Sequence, residues 1–150
     1  MLLRTMMRSL IVAALVAAVP APGLLTQNSA AQRASAPAID CAMASVPAEL
    51  NYCADVRLKQ ADVELRTALT RAAARIGRFD TAKPDDRAKW KDALDASQRA
   101  WSSFRESDCK GVVPYEWQGG TGTTLAVLEC MAQMTEQRVF DVNERYSESR

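Results

Sequence analysis

The chain has 150 residues, 48% of them hydrophobic, with 19 basic and 18 acidic side chains and no histidine. That length supports one domain, and the balanced charge points at neither nucleic acid nor an anionic membrane. The missing imidazole removes the commonest general base and the commonest metal ligand.

Arg4 and Arg8 precede an uncharged apolar run from Leu10 to Val19, and Ser29-Ala30-Ala31 offers small residues for cleavage. This is the pattern of an export signal over residues 1–31; a membrane span needs about 20 apolar residues, twice that run. Cys41 follows Ile39-Asp40 rather than a small residue, so no lipid-attachment signal is read. The expectation is a soluble periplasmic or secreted protein. Residues 1–31 hold two of the basic side chains and no acidic one, which leaves 17 against 18 and a formal charge of −1. Residues 32–40 are small, polar and proline-bearing and read as a flexible leader, residues 41–146 as the domain, and 147–150 as a C-terminal tail.

The first helix starts near Pro47. Leu50, Ala54, Leu58, Ala61, Leu65, Leu69, Ala72 and Ile76 recur at steps of three and four, the spacing of one helical face. Pro47 and Glu49 suit a first turn and Gly77 a stop. A second helix begins near Pro84-Asp85-Asp86 and carries Trp90, Leu94, Ser97, Trp101 and Phe104 or Arg105 on one stripe, ending near Cys109. A glycine-rich loop over 112–124 follows. Thr123 or Thr124 caps a third helix whose face is Leu125, Leu128, Met131 or Ala132, Thr135, Val139, Val142 and Tyr146. No stretch alternates at period two, so the expected fold is all-α, an elongated antiparallel three-helix bundle.

Cys41, Cys53, Cys109 and Cys130 include no Cys-x-x-Cys pair and match no zinc spacing. Four cysteines in an exported chain read as two disulfides. Cys41 lies just ahead of helix 1 and Cys53 about two turns into it, while Cys109 and Cys130 flank the loop. The favoured pairing is therefore Cys41 with Cys53 and Cys109 with Cys130, and no metal or other cofactor is expected.

Catalytic chemistry is thin. Without histidine there is no Ser-His or Cys-His pair, and the carboxylates Asp85-Asp86 and Glu106 with Asp108 sit at helix ends, where they cap or solvate. Gly119-Gly120-Thr121-Gly122-Thr123-Thr124 resembles a phosphate cradle but lacks the lysine and the preceding strand of a P-loop. It reads either as a plain turn or as a set of free backbone N–H groups that meet an anion. Arg105 and Arg138 lie on or beside apolar stripes and need inward partners, for which Asp62 or loop carbonyls serve; both are expected to tie the loop to the bundle. Trp90, Trp101 and Phe104 read as core. Tyr115 and Trp117, with Glu116 between them, either cover the bundle end or anchor a partner.

Taken together, "ADVEL" at Ala61–Leu65, "QRAWSSFRESDC" at Gln98–Cys109, "GGT" at Gly119–Thr121, "MTEQR" ending at Arg138 and the four cysteines resemble the LprI-type lysozyme-inhibitor N-terminal domain. The similarity runs from about Cys41 to Tyr146. It departs from the family in having Thr121 where serine is usual, Ser45-Val46-Pro47 at the helix-1 start, and no lipid-attachment cysteine. The resemblance implies a small exported disulfide-bonded helical domain that is no enzyme and binds lysozyme or another cell-wall hydrolase. Lysozymes are typically basic, with two carboxylates in a cleft, and an inserted loop excludes substrate from it; the 112–124 loop, with Tyr115, Glu116, Trp117, Gly119, Gly120 and Thr121, is the expected binding element. A net charge of −1 predicts little steering. The alternatives are a periplasmic protein-interaction module and a peptidoglycan-fragment binder in which Trp117 stacks on sugar.

Overall fold

The computed structural model describes residues 39–147; the expected export signal over 1–31, the expected leader up to residue 38 and the last three residues of the expected tail lie outside them. Those residues form helix α1 (Pro47–Gly77), helix α2 (Pro84–Ser107), a π-helical turn (Asp108–Val112), a short helix α3 (Val113–Glu116) and helix α4 (Thr123–Arg145). The fold is all-α. No described helix is long and apolar enough to cross a membrane.

At about 1.5 Å per residue, the 31 residues of α1 span about 46 Å. Pro47 opens the helix where its missing N–H costs nothing. The Glu49 carboxylate reaches back to accept the Ser45 N–H at 3.3 Å, which ties the entering chain to the first turn, while the Val46 cap offers the helix no side-chain hydrogen bond. The buried face is Ala54, Ala61, Leu65, Ala68, Ala72 and Ile76. Four of these six are alanines, and a seam of small side chains lets a neighbouring helix axis approach closely. That neighbour is α4, which turns Met131, Ala132, Thr135 and Val142 inward.

Helices α1 and α4 start at the same end, where Pro47 and Leu50 lie beside Thr121 and Leu125, and α2 returns in the opposite direction alongside the pair. Phe79, Trp90 and Tyr146 meet at the opposite end. The main apolar core, Leu65, Ala68, Ala72, Ile76, Leu94 and Val142 with Leu69, Trp101, Val139 and Tyr146 around it, occupies the half nearer Phe79. Both disulfides, Cys41–Cys53 and Cys109–Cys130, fall in the other half, where they add to a smaller buried set of Ala54, Ala61, Met131 and Ala132.

Two sequence expectations need correction. α2 buries only Leu94 and Arg105, because it lies along a seam already closed by α1 and α4. Trp101 is half-buried against the core, but Phe104 is 58% exposed and Trp90 37% exposed; one position from Arg105, Phe104 is rotated about 100° off the buried stripe. The capping threonine is also absent: Gly122 is the N-cap of α4 with no side-chain hydrogen bond, and the Thr123 hydroxyl is buried without a partner.

Candidate functional site

The chain does not enter a loop at Val112. Pro114 has no N–H to return to Lys110, and its ring would crowd that carbonyl in a regular helix. Widening the preceding turn to a π-helix, with Gly111 inside it, relieves the crowding and keeps the chain helical to Glu116. The connector therefore shrinks from 112–124 to residues 117–122. Tyr115 and Glu116 stand on α3, and Trp117 is its C-cap.

The turn itself is tight. Gln118 and Gly119 have φ of 50° and 66°, two left-handed residues in succession, the second of which suits glycine. The amides of Gln118, Gly119, Gly120 and Thr123 donate to the carbonyls of Tyr115, Pro114, Trp117 and Gly120 at 2.9–3.2 Å. These N–H groups close the turn on itself, so of the two readings of the glycine stretch the geometry at Gly119 and Gly120 fits the plain turn rather than free anion-binding donors; the two glycines shape the chain reversal. Gly122 has a separate task. A Cβ built on it would lie 2.4 Å from Cζ3 of Trp117, so the indole is seated against the bare backbone of Gly122.

The outcome is an exposed aromatic pair, with Tyr115 84% and Trp117 51% accessible and Glu116 between them. Beside it a shallow groove of about 200 Å³ runs between Pro47, Leu50 and Asn51 of α1 and Thr121, Gly122 and Leu125. Sequence reading missed this groove, since only the parallel placement of α1 and α4 creates it. Cys109, fully buried at the π-turn, is bonded to Cys130 of α4 and closes the whole excursion. Asp108 puts a carboxylate near both sulfurs, but a disulfide offers no thiolate to a metal.

Beneath the turn lies the arginine node. Arg105, 9% exposed, donates from one Nη to Asp62 Oδ1 at 2.8 Å and to Thr135 Oγ1 at 2.6 Å, while Thr135 donates to the Met131 carbonyl. Its guanidinium also lies 5.1 Å from the Trp101 ring. Arg138 stands 5.8 Å from the same ring and donates to Gln98 Oε1 and Ser97 Oγ, both at 3.2 Å; burial pushes its guanidinium below the usual value. Both arginines thus tie helix to helix, and their hydrogen bonds replace the expected ties to the loop.

The same end concentrates negative charge. Residues 39–56 and 106–129, which build it, contain Asp40, Glu49, Asp55, Glu106, Asp108, Glu116 and Glu129 against Lys110 alone. Lys110 itself pairs with Glu106. Arg57 and Lys59 follow directly, Lys59 paired with Asp55 and Arg57 near Glu129, so the near-neutral total hides an uneven distribution with an acidic excess at this end.

Compared with known proteins, residues 40–141 match the family model described as Lysozyme inhibitor LprI. The chain belongs to the LprI family. It is 33% identical over 131 residues to an uncharacterized protein of Rhizobium meliloti (strain 1021), covering 85% of this chain and 94% of that one. No solved structure matches it. The LprI match takes in both disulfides, the arginine node and the aromatic turn, and the family and the disulfides together point to a periplasmic or extracellular setting.

Proposed function

We propose that this LprI-family protein is a non-enzymatic inhibitor whose turn, from Tyr115 to Gly122, occludes the substrate cleft of a lysozyme or similar cell-wall hydrolase. The observation that carries this reading is an exposed Tyr115-Glu116-Trp117 triplet on a disulfide-closed, net-acidic end. Aromatic anchors of this kind dominate binding energy when they fill a pocket, and a turn bonded to itself has little ordering entropy left to lose. Acidic surroundings complement a basic enzyme whose cleft already holds carboxylates. Glu116 is then the residue placed to meet cationic groups at the cleft rim, and the groove beside Leu50 accepts a side chain of the enzyme.

The test is lysis of cell walls by lysozyme in the presence of the disulfide-bonded protein, with a Tyr115→Ala/Trp117→Ala variant alongside. Inhibition is expected, and the variant should weaken it by at least about a hundredfold, since two hot-spot truncations remove about 3 kcal/mol or more, without lowering the melting temperature. Lysis that proceeds unchanged at saturating wild-type protein would sink the proposal. Muropeptide binding by Trp117 with no inhibition would instead favour a wall-fragment binder.

A further inference from the structure

A standard protein interface takes about 20–30 residues from each partner, and the turn from Tyr115 to Gly122 supplies eight. Its neighbour is the segment that leads into α1. Trp117 lies against Gly122, Gly122 shares its groove with Pro47 and Leu50, and Pro47 follows Val46 directly, so one continuous surface runs from the indole across the groove to residues 39–46. None of residues 39–52 is buried. Met43 is 76% exposed, and Ile39, Val46 and Tyr52 are exposed as well. With Val112, Tyr115 and Trp117 they make seven of the thirteen large hydrophobic side chains that the described residues leave in water, so exposed apolar surface gathers at this end, and such gathering marks an interaction site. Short-range ties hold the segment in shape. Cys41 is bonded to Cys53, one turn beyond Leu50. The Met43 N–H donates to the Asp40 carbonyl at 3.1 Å and the Ala42 N–H to Asp40 Oδ1 at 3.0 Å. A loop closed this way presents Met43 with little backbone entropy left to lose on binding.

We infer that the Cys41–Cys53 loop is the second arm of the partner-binding surface: Met43 and Val46 dock on an apolar patch beside the cleft of the same basic cell-wall hydrolase that the turn engages, an assignment that rests on the inhibitor reading above. The groove at Leu50 then lies between two arms, with Trp117 on one side and Val46 on the other, and the enzyme side chain that enters it is enclosed by both. Fourteen residues from 39 to 52 join the eight of the turn, which brings the surface to the lower end of the standard size. Methionine suits the tip, because its unbranched thioether repacks against whatever apolar relief it meets. Charge selects the occupant. Among the described residues Asp40, Glu49 and Asp55 precede Arg57, and no lysine or arginine does, so the loop presents negative charge to a basic enzyme. A second copy of this chain is the poorer fit, since an isologous contact would set the same carboxylates against one another.

The experiment measures binding of the disulfide-bonded protein to an immobilised basic lysozyme, with wall lysis alongside. Met43→Ser/Val46→Ser should bind at least about tenfold more weakly, chiefly through faster dissociation. Its melting temperature should not change, because both side chains are exposed. Val63→Ser, at an equally exposed valine midway along α1, should bind as the wild type does. Oxidation of Met43 by dilute hydrogen peroxide, followed by peptide mass spectrometry, should slow severalfold when lysozyme is saturating. Wild-type inhibition with unchanged affinity of the Met43/Val46 variant, or with Met43 oxidised as fast in the complex as alone, overturns the inference and leaves the turn-based inhibitor standing. Self-association that the variant abolishes while its lysozyme affinity holds assigns the patch to a second copy and overturns it as well. Absence of any complex between the wild type and lysozyme removes both readings at once.

Discussion

Arg105 reaches all three long helices: it grows from α2, bonds Asp62 of α1 and Thr135 of α4, and lies over the ring of Trp101. Asp62 is only half-buried, which lowers the cost of exposing it, so Arg105→Ala is expected to lose about 2–4 kcal/mol rather than the upper figure for breaking a fully buried pair. Urea denaturation measures it, and a loss under about 0.5 kcal/mol, the ordinary range of surface substitutions, would contradict the node. The Arg57–Glu136 pair behaves differently. Arg57 donates to both carboxylate oxygens, and this hydrogen bonding holds Glu136 below its ordinary value of 4.5. A lowered folded pKa contributes stability that is present above the unfolded value and lost as pH falls through the folded one. With both side chains well exposed, solvent screening limits that contribution to under about 1 kcal/mol. The stability gap between wild type and Glu136→Gln should therefore narrow as pH is lowered from about 6 to about 3, and shrink with added salt. An arginine on an apolar stripe was visible in the sequence, and Asp62 stood among its possible partners. Thr135 was not recognised as a partner, because a threonine on a helical face looks the same whether or not its hydroxyl is used.

At the scale of elements, the three long helices and both disulfides follow from periodicity and cysteine spacing. The segment from Asp108 to Gly122 does not. A π-turn changes no residue type, so Cys109 could be read as the end of a helix when it lies within a wider turn, and the Pro114-Tyr115 step looked like loop when it is helical. Gly122 is equally silent, since its reason is the indole seated on it. Gly122→Ala places a methyl in that seat and should displace Trp117, seen as a red-shifted and more quenchable tryptophan emission component. The φ of Gly122 is −84°, so alanine meets no backbone penalty and the helical content should hold. Unchanged emission would mean that the ring is not lodged there.

Among the described residues the acidic excess gathers at the turn end, while the other end mixes Arg71, Arg75, Arg78 and Arg145 with Asp80, Asp85, Asp86, Asp141 and Glu144. Long-range attraction of a basic enzyme acts on the association rate, and salt screens it over about 8–10 Å. Replacing Glu49, Glu116 and Glu129 by glutamine should slow association severalfold at low ionic strength, with the difference nearly gone at about 1 M salt, where screening is within about 3 Å. A salt-independent difference in stopped-flow rates would assign those carboxylates to direct contact instead. The segregation of apolar core from covalent staples has a further outcome. Heat and thiols should dismantle this protein from opposite sides: dithiothreitol loosens the half around Cys109, while the amides beside Leu65, Ile76 and Val142 keep their protection against deuterium. A reduced, half-dismantled form that has lost its grip on a partner yet keeps much of its helix would make the redox state of the surroundings a control on activity that far-ultraviolet dichroism alone barely registers.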